Sequence, residues 1–169
     1  CYMELGLKED AIEFFNKTVS IKPDFGNAYY NKAMVLKKMG KVEEAIANLN
    51  STLKYMPNTS IIHFQKGLLL YELKKRKDAI VCFTKAFELN PNDIYAAQNK
   101  GKCLQEMGML NEALDCYNAA LKKNSHFELA LYNKGKCLCE LGRYGHALEY
   151  LNKTIKQNCE DYCAFFYRG

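Results

Sequence analysis

Tryptophan is absent from the 169 residues, proline occurs three times, and there is no run of small polar residues. Such a composition, with 49% hydrophobic and 25% charged residues, argues against disorder and for a packed, helix-rich chain. Long apolar runs are missing too: none approaches the roughly 20 residues that span a bilayer, so no membrane partner is expected. Nor does the chain open on a charged, apolar, then small-residue pattern of the kind that marks a secretory signal. Histidine is scarce, and His63, His126 and His146 stand at ligand spacing from none of the cysteines. The cysteines themselves lack paired C-x-x-C spacing, which leaves no four-ligand set for zinc, and no metal or other cofactor is expected. A broad basic stripe is also wanting: the net charge of +5 is dispersed, and Lys74-Lys75-Arg76-Lys77 is its one cluster, in a turn. That pattern reads as a solvated loop and disfavours a nucleic-acid partner. For catalysis there is no nucleophile, base and orienter grouping, no glycine-rich phosphate loop and no carboxylate pair outside the repeating pattern, so the chain is not expected to be an enzyme.

What the chain does have is a period. Pro23, Pro57 and Pro91 stand 34 residues apart, and Ala11, Ala45, Ala79, Ala113 and Ala147 keep the same step. A fixed period of this length is the mark of stacked supersecondary units whose stability comes from the units and their interfaces. Taking Gly26 as position one, complete units span 26–59, 60–93, 94–127 and 128–161, with partial units at 1–25 and 162–169. Within each unit two helical patterns are separated by a turn. Helix A of the first complete unit is expected from about Ala28 to Met39 and helix B from about Val42 to Tyr55, with Gly40 and Pro57 as the stops. In the opening partial unit, Ala11, Ile12, Phe15 and Val19 give a further helix that stops at Pro23. Because the chain opens on Cys1 partway through a unit and breaks off in a helix A, we expect a piece of a longer array.

Position eight reads Ala33, Gly67, Gly101, Gly135 and Gly169, and position twenty is always alanine. Small residues there let the two helices approach closely, while Leu36, Leu70, Leu104 and Leu138 with Leu49, Phe83, Tyr117 and Leu151 fill the space around them. This pattern resembles the tetratricopeptide repeat family over the whole chain. The departures are position four, often tryptophan in the family but here Tyr29, His63, Ala97, Leu131 and Phe165; Lys74 for the turn glycine; and Ser125 and Cys159 for the proline. The resemblance implies an all-α fold, a right-handed α-solenoid of antiparallel helix pairs, with a concave groove lined by A helices that binds peptides or partner proteins.

A helical wheel of about 100° per residue places positions two, five, six, nine, twelve and thirteen opposite the buried arc. Column six is Asn31, Gln65, Asn99 and Asn133. A carboxamide carries an acceptor and two donors, so such a ladder can pair with the main chain of an extended peptide; the alternative is that these amides bond only water or a neighbouring helix. Column five supplies Tyr30, Phe64, Tyr132 and Phe166, with Gln98 among them, either as apolar pockets for a bound segment or as packing against the adjoining A helix. Column nine passes from Met34 and Leu68 to Lys102 and Lys136, which face either an acidic ligand or Glu106 and Glu140 four residues on. Column seven, Lys32, Lys66, Lys100 and Lys134, reads as structural, with packed stems and heads reaching solvent or carboxylates such as Glu44, Asp78 or Glu112.

The lysine and asparagine pattern with which some family members clamp the acidic tails of heat-shock chaperones is met by no three successive units. The four N-x-S/T triplets, three of them inside B helices, read as coincidental. Repeat-matched cysteines, Cys103 with Cys137 and Cys82 with Cys116, read as small buried hydrophobes and favour a reducing compartment, the cytoplasm first, with cilium and nucleus left open. The expected function is a non-catalytic scaffold holding a protein or peptide ligand within a larger complex. Alternatives are the substrate-presenting arm of an enzyme such as a glycosyltransferase, and a structural spacer in a ciliary or cell-division assembly.

Overall fold

A computed structural model describes residues 7–157, in which the period becomes nine helices and no strand. In order they are α1 (Lys8–Ile21), α2 (Gly26–Lys38), α3 (Val42–Tyr55), α4 (Ser60–Glu72), α5 (Arg76–Leu89), α6 (Ile94–Glu106), α7 (Leu110–Lys123), α8 (Glu128–Glu140) and α9 (Tyr144–Gln157). Even-numbered helices are the A helices of the repeat and odd-numbered ones the B helices. Helix A begins at Gly26, two residues earlier than its sequence suggested, because the turn before it is already closed by the Phe25 N–H to the Lys22 carbonyl and the Ala28 N–H to the Phe25 carbonyl. None of the described helices is long and apolar enough to cross a membrane.

Each A helix ends in the same way. The Gly40 N–H bonds to the Lys37 carbonyl and the Lys41 N–H to the Leu36 carbonyl, and the same two bonds recur at 74–75, 108–109 and 142–143. This is the Schellman closure, and it requires a left-handed residue at its hinge. Gly40, Gly108 and Gly142 supply it at φ values of 72–78°, and Lys74 supplies it at φ 59° as the only non-glycine residue of positive φ among those described.

The described chain forms two compact units, divided within α5 between Cys82 and Phe83. In the first, α2 packs on α3, with Ala33, Leu36, Val42, Ala45, Leu49, Ile62 and Leu69 as one buried cluster drawn from α2, α3 and α4. In the second, α6 packs on α7 and α8 on α9. The small residues of position eight are needed where their partners are large. A Cβ on Gly101 would lie 2.7 Å from the Tyr117 ring, and one on Gly135 would lie 2.8 Å from the Leu151 side chain. Both partners are fully buried, so neither can step aside.

Thr52 and Thr154, which belong to two of the N-x-S/T triplets, are also fully buried, each hydroxyl bonding back to the carbonyl four residues earlier. No buried side-chain nitrogen or oxygen among the described residues lacks a hydrogen-bond partner.

Candidate functional site

In the second unit α6 lies beside α8, so positions nine, twelve and thirteen of one A helix meet positions six, nine and thirteen of the next. They enclose a cavity of about 240 Å³ lined by Lys102, Gln105 and Glu106 from α6 and by Asn133, Lys136 and Glu140 from α8. Three residues singled out in sequence, Lys102, Asn133 and Lys136, therefore share one site. The cavity is polar and carries charge of both signs, a lining suited to a peptide backbone with charged side chains.

A residue the sequence did not single out fixes this surface. Gln105, at position twelve, accepts a 2.8 Å hydrogen bond from the buried Tyr117 hydroxyl of α7 and donates one of 2.8 Å to the Glu140 carboxylate of α8. The chain Tyr117–Gln105–Glu140 runs from the core to the A-helix surface, locking the Gln105 amide by its oxygen and aiming its nitrogen across the helix pair. Burial pushes the Tyr117 phenol well above its ordinary range, so the hydroxyl stays protonated and remains a donor. Position twelve has the same bridging role in the first unit, where Lys37 of α2 donates to the Gln65 side-chain oxygen of α4 at 2.9 Å. The signal was a polar residue at a position facing the next A helix, which a single-helix wheel cannot recognise as a bridge.

The remaining ladder residues differ in their surroundings. Asn31 is exposed, while Gln65, Asn99 and Asn133 are half-buried. The Asn99 side chain donates to the Tyr95 carbonyl on its own helix at 2.8 Å, which leaves its oxygen and one N–H to serve a ligand. Of column five, Tyr30, Phe64 and Tyr132 are half-buried, with Tyr30 packed on the core of the first unit, and Gln98 is buried rather than exposed. Phe166 lies outside the described residues. Beside these columns, position two presents Ile61 in the first unit and Tyr95 and Leu129 in the second, all about half exposed, with the Tyr95 ring edge-on to Phe127 at 5.2 Å.

Column seven is half-buried as its aliphatic stems demand, and its heads meet different surroundings from repeat to repeat. Lys32 donates to the Asn16 side chain of α1 at 2.7 Å, and Lys134 sits 3.9 Å from the centroid of the Tyr150 ring. Glu44, offered as a partner, stands near Lys41 instead. Lys66 and Asp78 share one cavity wall in the first unit.

Helix pairs, a left-handed hinge in each described A-to-B turn and small residues at the crossing define an all-α protein of the solenoid-repeat class. Family models agree: two for the tetratricopeptide repeat match residues 1–25 and 14–47, and one for the anaphase-promoting complex, cyclosome, subunit 3, matches residues 73–154. The chain is a tetratricopeptide repeat protein.

Among solved structures it is similar to YrrB, described as a tetratricopeptide-repeat protein with an unusual peptide-binding site, at 27% identity and a TM-score of 0.88 over 98% of this chain and 85% of that one. It is also similar in fold to MamA, at 18% identity and a TM-score of 0.87 over 92% and 91% of the two chains. MamA of Desulfovibrio magneticus RS-1, from residue 41 to its end, gives 17% identity and a TM-score of 0.85 over 95% and 91%. No curated protein matches the chain significantly in sequence.

Proposed function

We propose that this chain is a non-catalytic protein-interaction scaffold that holds a peptide segment of a partner against its A helices. The carrying observation is the α6–α8 cavity, where Lys102, Asn133 and Lys136 join Gln105, Glu106 and Glu140 around a space open to main-chain amides and charged side chains. The likeness to YrrB supports the reading, because a protein of this fold at 27% identity is described by its peptide-binding site. Asn99 adds to this chemistry in the second unit and Asn31 and Gln65 offer the same amides on the A helices of the first, with Tyr30, Phe64, Tyr132 and Phe166 setting preference among apolar side chains of the ligand. Neutral hydrogen bonds contribute only about 0.5–1.5 kcal/mol each, so side-chain contacts must supply most of the affinity. The location that goes with this reading is a reducing compartment, the cytoplasm first, as the repeat-matched cysteines of the sequence suggest.

A photo-crosslinking side chain placed at Asn133, with one at the exposed Asn118 of α7 as control, tests the assignment. Crosslinks to a defined partner from position 133 and not from 118 are the expected result; equal crosslinking from both would remove the A-helix surface as the binding face. The match of residues 73–154 to a subunit of the anaphase-promoting complex favours a second reading, in which the chain is a building block of a large assembly and partner binding serves its construction.

A further inference from the structure

A cavity of about 450 Å³ lies off the A-helix surface, where α9 and the end of α7 meet one flank of α8. Its floor is apolar: Leu121, Leu131 and the ring of Tyr150. Its rim is basic, with Lys134 of α8 and Lys153 and Lys156 of α9, and Ser125 and His126 of the preceding loop complete it. Two of the ammonium groups converge on one ring, Lys134 at 3.9 Å and Lys153 at 5.0 Å from the Tyr150 centroid. The carboxylate closest in sequence, Glu149, pairs with Lys153 at 2.9 Å, so the rim retains an excess of positive charge. Three ammonium groups around one opening make a positive patch that attracts an anion.

The same place in the repeat is different elsewhere in the chain. In α5 the positions of Tyr150, Lys153 and Lys156 hold Cys82, Lys85 and Glu88, and the cavity of about 330 Å³ beside Cys82 sets Lys66 against Asp78. At α1 Phe14 and Lys17 hold the positions of Tyr150 and Lys153, with Lys17 paired to Glu13 at 2.7 Å as Lys153 is to Glu149, but Ser20 stands in place of Lys156. Neither has a surplus of cations. The basic aromatic form therefore belongs to the α8–α9 pair and is no requirement of the repeat.

We infer that this cavity is a second docking site, separate from the A-helix face, for an acidic peptide segment whose apolar side chain enters between Leu121, Leu131 and Tyr150 while its carboxylates meet Lys134, Lys153 and Lys156. The volume falls within the range of small-ligand and side-chain pockets, and an aromatic floor under cationic groups suits an apolar anchor flanked by acidic residues. Charge steering makes the affinity depend on salt.

The probe is a fluorescein-labelled hexapeptide, Glu-Asp-Leu-Phe-Asp-Glu, titrated by fluorescence anisotropy. Micromolar binding to the wild type is expected, weakened several-fold as salt rises from about 0.05 to 0.3 M. The double variant Lys134→Glu/Lys156→Glu should lose at least tenfold in affinity with an unchanged circular dichroism spectrum, while Lys102→Glu/Lys136→Glu on the A-helix face keeps it. Amide shifts on peptide addition should centre on Leu131, Lys134 and Tyr150. No binding to the wild type, equal binding by the Lys134→Glu/Lys156→Glu variant, or loss confined to Lys102→Glu/Lys136→Glu would overturn the site. So would equal binding of a peptide with Gly-Ser in place of Leu-Phe, or full displacement by inorganic phosphate, since either would reduce it to a nonspecific anion site.

Discussion

Lys74 holds φ 59° in the turn where the other three described hinges are glycine. A side chain in this left-handed region is strained, and only glycine occupies it freely. Lys74→Gly should therefore stabilise the chain by about 0.5–1 kcal/mol, read as a melting point higher by about 2–4 °C. The opposite sign is expected at Gly101. Alanine there gains helix propensity but meets the buried Tyr117 ring at 2.7 Å, and Gly101→Ala should cost about 1–3 kcal/mol in urea unfolding.

Thiol ionisation adds a pH dependence at the same scale. Burial, aided by the nearby Glu140 carboxylate, pushes the Cys137 thiol up to about 11 from its ordinary 9.0, and burial also raises Cys82 and Cys116. The fold thus favours the neutral thiols. Their contribution is fully present below the unfolded value near 9 and is lost as pH rises from there through the folded value. Unfolding free energy in reducing buffer should fall by on the order of 1–2 kcal/mol between pH 8.5 and about 10.5, with a shallower slope in Cys137→Ala. A flat profile would contradict the assignment.

At the level of the helix, the Tyr117–Gln105–Glu140 chain couples the B-helix core to the surface proposed for ligand binding. Tyr117→Phe leaves the ring packing intact and strips Gln105 of its buried donor, so it should cost about 1 kcal/mol of stability and free the Gln105 amide to rotate. If that amide positions Glu140 and the α6–α8 surface, partner affinity should fall severalfold as well, measured as Kd for the crosslinked partner. Unchanged affinity would make the chain purely structural.

The helices themselves are legible in sequence because the units repeat the same small residues and nearly the same hinge and stop: α3 has the bounds its pattern predicts, and Lys74, the residue in place of the turn glycine, is the non-glycine hinge. The start of helix A was read two residues late, since Gly26 and Asn27 are weak helix formers whose place is fixed by the preceding turn. Contacts between one A helix and the next were hidden. Gln98 is buried and Gln105 bridges because of what lies on the neighbouring helix, information no single helical wheel contains.

For the molecule as a whole, the repeat supplies a scaffold and variation within columns supplies the chemistry. Position twelve is lysine in one unit and glutamine in another, and each reaches the next A helix. Position twenty-three is Cys82 in α5 and Tyr150 in α9, and of these two only Tyr150 sits under two cations. A stacked-unit protein tolerates such divergence because each position contacts only its neighbours, so surfaces can differ while the packing code stays constant.

The measurement that bears most directly on the scaffold reading is partner capture by the immobilised wild type and by Asn31→Ala/Gln65→Ala/Asn99→Ala/Asn133→Ala, compared by quantitative mass spectrometry after circular dichroism shows both equally folded. The account predicts that a defined set of partners is lost with the four amides. Retention of the same partners in the same amounts would contradict it and transfer the binding role away from the A helices.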